Sequence, residues 1–157
     1  MKTLVVYYSR SGKTKLAAKA LATTLDADIE QITDMENRKG IIGFIKSGYQ
    51  ATKRIKVEIS PAKKQPSEYD LVVICTPVWA GTMSSAIRTY LFTYRRKIKN
   101  VAYIITKASK IQQYTDVFDE MDRLIGNDRI TAISIISTGG SNITQAAQDF
   151  AKELVEI

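Results

Sequence analysis

Tyr8-Ser9-Arg10-Ser11-Gly12-Lys13-Thr14 follows the apolar run Leu4-Val5-Val6-Tyr7 and precedes a helical pattern that begins near Leu16. The run reads as a buried strand and the pattern as an amphipathic helix, so the stretch between them lies at a strand's carboxyl end. A turn in that place aims several backbone N–H groups, and the positive end of the helix dipole, at one spot. Ser9, Ser11 and Thr14 supply hydroxyls, Gly12 tolerates a left-handed backbone, and Arg10 and Lys13 bring positive charge. The chemistry of the turn suits a phosphate.

Two common phosphate loops do not fit. Gly12-Lys13-Thr14 matches the end of a G-x-x-x-x-G-K-[ST] loop, but the first glycine would fall at position 7, which is Tyr7. The next strong strand, Leu71 to Cys75, does not end in the acid that would hold magnesium opposite such a loop. The dinucleotide pattern G-x-G-x-x-G fails as well, because the turn holds a single glycine.

Strand signals recur at Thr3–Tyr8, Ala27–Ile32, Leu71–Cys75, Val101–Ile105 and Ile130–Ser137. Helical spacing falls between them, at Lys13–Leu25 (Leu16, Ala17, Ala20, Leu21, Leu25), Ser84–Tyr94 and Tyr114–Ile125. A last helix is expected from about Asn142, with Asn142 and Gln145 as its capped start and Thr138-Gly139-Gly140-Ser141 as a plain turn before it. Asp116, Asp119, Glu120 and Asp122 read as the solvent face of the fourth helix. Alternating strands and helices predict an α/β fold in one domain: a doubly wound five-stranded parallel sheet, order 2-1-3-4-5, with helices on both faces. In that order, ligands bind at the carboxyl ends of strands one and three.

The turn after strand three is Thr76-Pro77-Val78-Trp79-Ala80-Gly81-Thr82. Pro77 has no N–H to give a sheet, so the strand is expected to end there. Ala80 and Gly81 let a flat ligand approach the backbone, and Trp79, the one tryptophan, offers it a stacking surface.

Together, YYSRSGKT after the first strand and CTPVWAG after the third resemble the two flavin loops of the flavodoxin family, over a strand–helix rhythm that matches throughout. No long insertion interrupts the final strand, as in the short-chain type. The resemblance implies FMN, its phosphate on Ser9, Arg10, Ser11, Gly12, Lys13 and Thr14. Its ring would lie on Thr76, Pro77, Val78, Trp79, Ala80 and Gly81, with Thr106, Lys107, Ala108 and Ser109 on the third side. In such a site Gly81 would let a peptide turn toward the ring. The third loop, Thr106 to Lys110, departs from the family in having neither glycine nor an aromatic residue, which leaves one ring face open. Lys107 and Lys110 are expected either to bring charge to the ring or to point to water.

The 157 residues carry a net charge of +7. Between Arg38 and Lys64 eight basic residues face one acid, Glu58, so this segment holds the whole excess. A helix is expected over residues 40–54, packing the stripe Ile41, Ile45 and Tyr49 on the sheet. A solvated face, an anionic membrane surface, nucleic acid, and an acidic redox partner or the phosphates of NAD(P)H are the four readings of that charge. Phe44 and Tyr49 are too few aromatics to expect nucleic acid. Flavodoxins are usually acidic, so the basic excess runs against a simple carrier.

Histidine is absent, which excludes histidine-based triads and the commonest zinc and haem ligation. Cys75 is the one cysteine and no run of ~18 apolar residues or signal-peptide pattern is read, so a cytoplasmic protein without a membrane span is expected. The leading expectation is an FMN-binding electron-transfer protein. The alternatives are an FMN-dependent NAD(P)H:quinone-type oxidoreductase and a basic binding module with a vestigial flavin site.

Overall fold

Five parallel strands form the centre of the protein, described here by a computed structural model that covers residues 1–35 and 40–157, the side chains of Ile41 and Phe44 excepted. They are β1 (Thr3–Tyr7), β2 (Asp28–Gln31), β3 (Leu71–Trp79), β5 (Val101–Lys107) and β6 (Ala132–Ile136), in the order β2-β1-β3-β5-β6. A two-residue strand, β4 (Thr82–Met83), folds back antiparallel on the end of β3. The helices are α1 (Lys13–Leu25), α2 (Gly40–Thr52), α3 (Ser85–Tyr94), α4 (Thr115–Ile125) and α5 (Gly140–Glu156). The doubly wound order expected from the sequence is therefore present, with one small hairpin added.

The strands are apolar on both sides because both sides are covered. Leu4, Val6, Val72, Ile74, Tyr103 and Ile105 project to the α2–α3–α4 side, while Val5, Tyr7, Val73, Cys75, Ala102 and Ile104 project to the α1–α5 side. Alternation along each strand assigns the side chains to the two cores. On α4, Val117, Phe118, Met121 and Ile125 turn inward as their spacing requires. On α1 the buried stripe is Thr14, Ala17, Ala18, Leu21 and Ala22, so Leu16, expected inside, lies at the surface.

Three features differ from the sequence expectation. First, β3 does not stop at Pro77 but continues to Trp79. Tyr8 donates its N–H to the Cys75 carbonyl, so odd-numbered residues of β3 turn their backbone groups toward β1. The paired part of β1 ends at Tyr7, opposite Cys75. Pro77 thus lacks an N–H where no strand would receive it, as a proline at a sheet edge does. Second, α5 begins at Gly140, with Gly139 as an N-cap that offers no side-chain acceptor, rather than at a capped Asn142. Third, α2 is turned over relative to the expected packing. Gly43, Ser47, Gln50 and Ala51 face inward, whereas Ile45 and Tyr49 are exposed. The Ile41 and Phe44 side chains, and Arg38 and Lys39 at the start of the basic segment, lie outside the described residues. Among the described residues no helix is long and apolar enough to cross a membrane, and no cluster of acidic, histidine or cysteine side chains could hold a metal.

Candidate functional site

The reversal of strand order between β1 and β3 opens a crease at their carboxyl ends, and both turns singled out in the sequence meet there. The crease has a volume of about 160 Å³ and is lined by Arg10, Ser11, Lys13, Thr14, Pro77, Val78, Trp79, Thr106, Ala108 and Ser137. A larger hollow, about 640 Å³, runs along the β2 edge between Ile29 and Lys64. The hollow lies beside an edge strand, away from the switch point, and the crease has the donor set for a phosphate. Chemistry rather than size selects the crease.

On its first wall the chain leaves β1, turns at Gly12 with φ of +94°, and enters α1. Ser9 fixes the turn by accepting the Gly12 N–H at 3.0 Å. No side chain caps α1, and the first amide bonded to the turn is that of Leu16, donating to the Gly12 carbonyl. The amides of Lys13, Thr14 and Lys15 therefore have no partner within the helix, which is the arrangement that takes an anion. Thr14 is buried and its hydroxyl lies 2.7 Å from that of Thr106, tying the turn after β1 to β5 across the floor of the crease.

The second wall is the hairpin joining β3 to β4. Trp79 pairs with Thr82, and the two residues between them, Ala80 and Gly81, have φ of +48° and +80°. Two left-handed residues in a row make the tight turn that matches strand twist, and alanine fills its first position at some cost. Trp79 is nearly buried. Its indole and the Tyr8 ring form a T-shaped pair at a centroid distance of 5.5 Å and 87° between planes, so it belongs to the core as well as to the crease. Thr76 lies behind the hairpin: it donates to Ser84 and accepts the Ser84 N–H.

Beneath the hairpin is a polar cluster that sequence reading missed. Arg88 of α3 is buried and donates Nη1 to Glu120 Oε1 at 2.8 Å and Nη2 to Thr82 Oγ1 at 3.0 Å. Thr82 in turn donates to Glu120 Oε2, and Arg54, just past α2, donates Nε to Oε1. Burial would raise the Glu120 carboxyl, but hydrogen bonds from Arg88, Thr82 and Arg54 outweigh it and hold the pKa at about 2. Glu120, expected on the solvent face of α4, is instead the hub that ties α2, α3 and α4 to β4. Asp122 is also turned in, accepting from Tyr103 and Arg129. Spacing along α4 could not distinguish these two acids from Asp116 and Asp119.

Around the third side, Thr106 and Ala108 reach the crease, joined by Ser137, whose N–H is donated to the Lys107 carbonyl. Lys107 does not point to water. It is buried, and Nζ donates to the Gln112 carbonyl and to Gln113 Oε1, holding the loop that leads to α4. Ser109 is likewise spent within that loop, accepting from the amides of Ile111 and Gln112. Ser9, Gly12, Thr76, Ala80 and Gly81 shape the crease without lining it, and Lys107 and Ser109 stand outside it.

No curated protein matches the chain. Its fold is similar to that of a flavoprotein from Lactobacillus acidophilus solved in complex with FMN. The two are 25% identical, with a TM-score of 0.72 over 85% of this chain and 92% of that one. It is also similar to oxidised Flavodoxin 1 from Bacillus cereus, 15% identical, at a TM-score of 0.63 over 99% and 98%. A WrbA-like flavodoxin from Agrobacterium tumefaciens, 16% identical, gives a TM-score of 0.54 over 97% and 98%. The family model described as Flavodoxin matches residues 2–125, which take in both walls of the crease and the cluster beneath the hairpin. With that match and the switch-point crease in place, the chain belongs to the flavodoxin family.

Proposed function

We propose that this protein binds FMN in the crease and serves in electron transfer. The observation that carries this reading is the uncapped start of α1, ringed by Arg10, Ser11, Lys13 and Thr14, facing Trp79 across the strand switch point. The donor set fits a phosphate monoester: three amides without helical partners, two hydroxyls and two cations converge on one place. The Lactobacillus acidophilus flavoprotein, solved with FMN, supports the same ligand here.

Bound flavin supplies the redox chemistry, accepting and releasing one or two electrons. The chain's own residues position it. Thr14, fixed through Thr106, keeps the first turn of α1 aimed at the phosphate, while Arg10 and Lys13 offset its charge. Trp79 forms one wall and keeps water from it, and its T-shaped contact with Tyr8 holds the indole in place. The cluster of Arg88, Glu120 and Thr82 fixes the Ala80–Gly81 peptide that would face the ring edge.

A second reading, an NAD(P)H-dependent reductase acting on a quinone-like acceptor, is favoured by the third side of the crease. There Thr106, Ala108 and Ser137 are small, and Trp79 is the single aromatic among the described lining residues, so one face is open to a hydride donor. Titration with FMN, followed by absorbance and by quenching of Trp79, tests the ligand. Protein that stays colourless with excess FMN would return the chain to the basic-module reading. Steady-state NADPH oxidation with a quinone then separates the two redox roles: turnover means a reductase, and its absence in flavin-loaded protein means a carrier.

A further inference from the structure

The outward face of α2 exposes large apolar side chains. Ile42 is 82% exposed, Ile45 63% and Tyr49 59%, and their spacing of three and four residues places all three on one stripe. Lys46 and Lys53, also exposed, lie on the same stripe. The described inward face has Gly43, Ser47, Gln50 and Ala51 instead, with the Ser47 hydroxyl donating back to the Gly43 carbonyl. Among the described residues, Gly43, Ser47 and Ala51 are small and lie inward, while the large side chains of Ile42, Ile45 and Tyr49 stand away from the sheet. The surface continues past the helix into Ile55 and Lys56, whose ammonium sits 3.5 Å from the Phe92 ring centroid, with the Arg95 guanidinium 4.1 Å from the same ring. Arg95, Arg96, Lys97 and Lys99 form a second basic run, which the fold brings alongside the first. Glu58 is the one acid of the segment from residue 40 to residue 64.

We propose that this face docks on an anionic lipid surface, with α2 lying in the plane of the membrane. Charge complementarity and the arrangement of side chains select that occupant. A second copy would set the same patch against itself, lysine against lysine, in any two-fold contact. An acidic protein would be expected to meet a compact apolar centre ringed by charge, and lysine is depleted at such centres. Here lysines are interleaved with isoleucines along one stripe. Lysine stems can lie along the apolar layer with their ammonium groups at the phosphates, isoleucine enters between them, and tyrosine suits the boundary. Each basic side chain near an anionic leaflet adds to the attraction.

Co-sedimentation of the full chain with vesicles tests this, and it needs no flavin. We expect binding to vesicles that contain phosphatidylglycerol, weak binding to phosphatidylcholine alone, and release by salt. The pair Ile42→Ser and Ile45→Ser should lower the affinity about tenfold or more, and the pair Lys53→Gln and Lys56→Gln by a similar factor. Far-UV circular dichroism of each variant establishes that it is folded. Equal binding to both vesicle types, or no loss in folded variants, would overturn the proposal. So would absence from phosphatidylglycerol vesicles, whether the face then binds poly-glutamate, pointing to an acidic protein, or loses a dimer on Ile45→Ser, pointing to a second copy. None of these outcomes depends on whether FMN binds.

Discussion

The two walls of the crease are held in opposite ways. The turn from β1 into α1 is built largely from its own residues: Ser9 and Gly12 are three residues apart, Gly12 takes the left-handed angle glycine favours, and α1 starts at once. Past Tyr8, its tie to β5 is the hydroxyl pair of Thr14 and Thr106. The hairpin has a left-handed alanine and no side-chain support of its own. It depends on Arg88, Glu120 and Arg54, contributed by three other segments. A wall built from neighbours in sequence tolerates change elsewhere in the chain. One braced from afar should be the weaker point of the site.

The strongest way to break that comparison is Arg88→Met. It leaves the Glu120 carboxylate, largely shielded from water, without its main partner, and removing one member of a buried pair costs about 3–5 kcal/mol. Ser9→Ala, the matching change in the other wall, removes one exposed hydrogen bond and should cost about 1 kcal/mol. Urea unfolding measures both, and Trp79, the one tryptophan, reports on the hairpin directly. Equal costs would mean that the hairpin does not depend on its brace. Arg54→Ala should cost under about 1 kcal/mol, because that side chain is two-thirds exposed.

Acid should loosen the same wall. The Glu120 carboxyl is held at about 2 in the folded protein, against an ordinary value of 4.5. A depressed folded value gives stability that is fully present above the unfolded pKa and is lost as pH falls through the folded one. The shift is worth roughly 3 kcal/mol, lost between about pH 4.5 and pH 2. Glu120→Gln should flatten that part of the stability-versus-pH curve. A Gln variant with the parent's acid profile would assign the loss to other carboxylates.

Smaller effects are expected at the floor. Thr14→Val leaves the Thr106 hydroxyl buried without its partner, at a cost of about 1–2 kcal/mol, and should weaken FMN binding if the turn carries the phosphate. Thr106→Val should cost a similar amount, and the double variant less than the sum. Additive costs would show that the two hydroxyls do not act as a pair.

What the sequence revealed follows the same division. The turn between β1 and α1, the five parallel strands and the α4 stripe are legible because each is encoded by residues within a few positions of one another. Pro77 misled because its effect depends on where β1 ends, seventy residues away in sequence. Glu120 was hidden by its solvent-facing neighbours Asp116 and Asp119, since the partners that draw it inward lie on α3 and β4. The reversal of α2 was hidden too: Ile45 and Tyr49 have helical spacing, and spacing alone does not say which way a stripe points.

The smallest expected change in stability, that of Ala80→Gly, lies at the tip of the hairpin, beside a larger one at Gly81. At Gly81, φ is +80° and an added methyl would meet nothing within 4 Å, so Gly81→Ala suffers from backbone strain alone, about 1–2 kcal/mol. At Ala80, φ of +48° imposes a similar strain on the natural residue. Ala80→Gly relieves it, but loosens the unfolded chain by about 0.4–1 kcal/mol, so the two nearly cancel. Stability should therefore fall in one variant and hardly move in the other, although both change the same turn. If the peptide between these residues faces the flavin edge, Gly81→Ala should also shift the flavin's reduction potential, measured by anaerobic reductive titration. An unchanged potential with the expected loss of stability would leave the hairpin a structural wall and remove its part in tuning the cofactor.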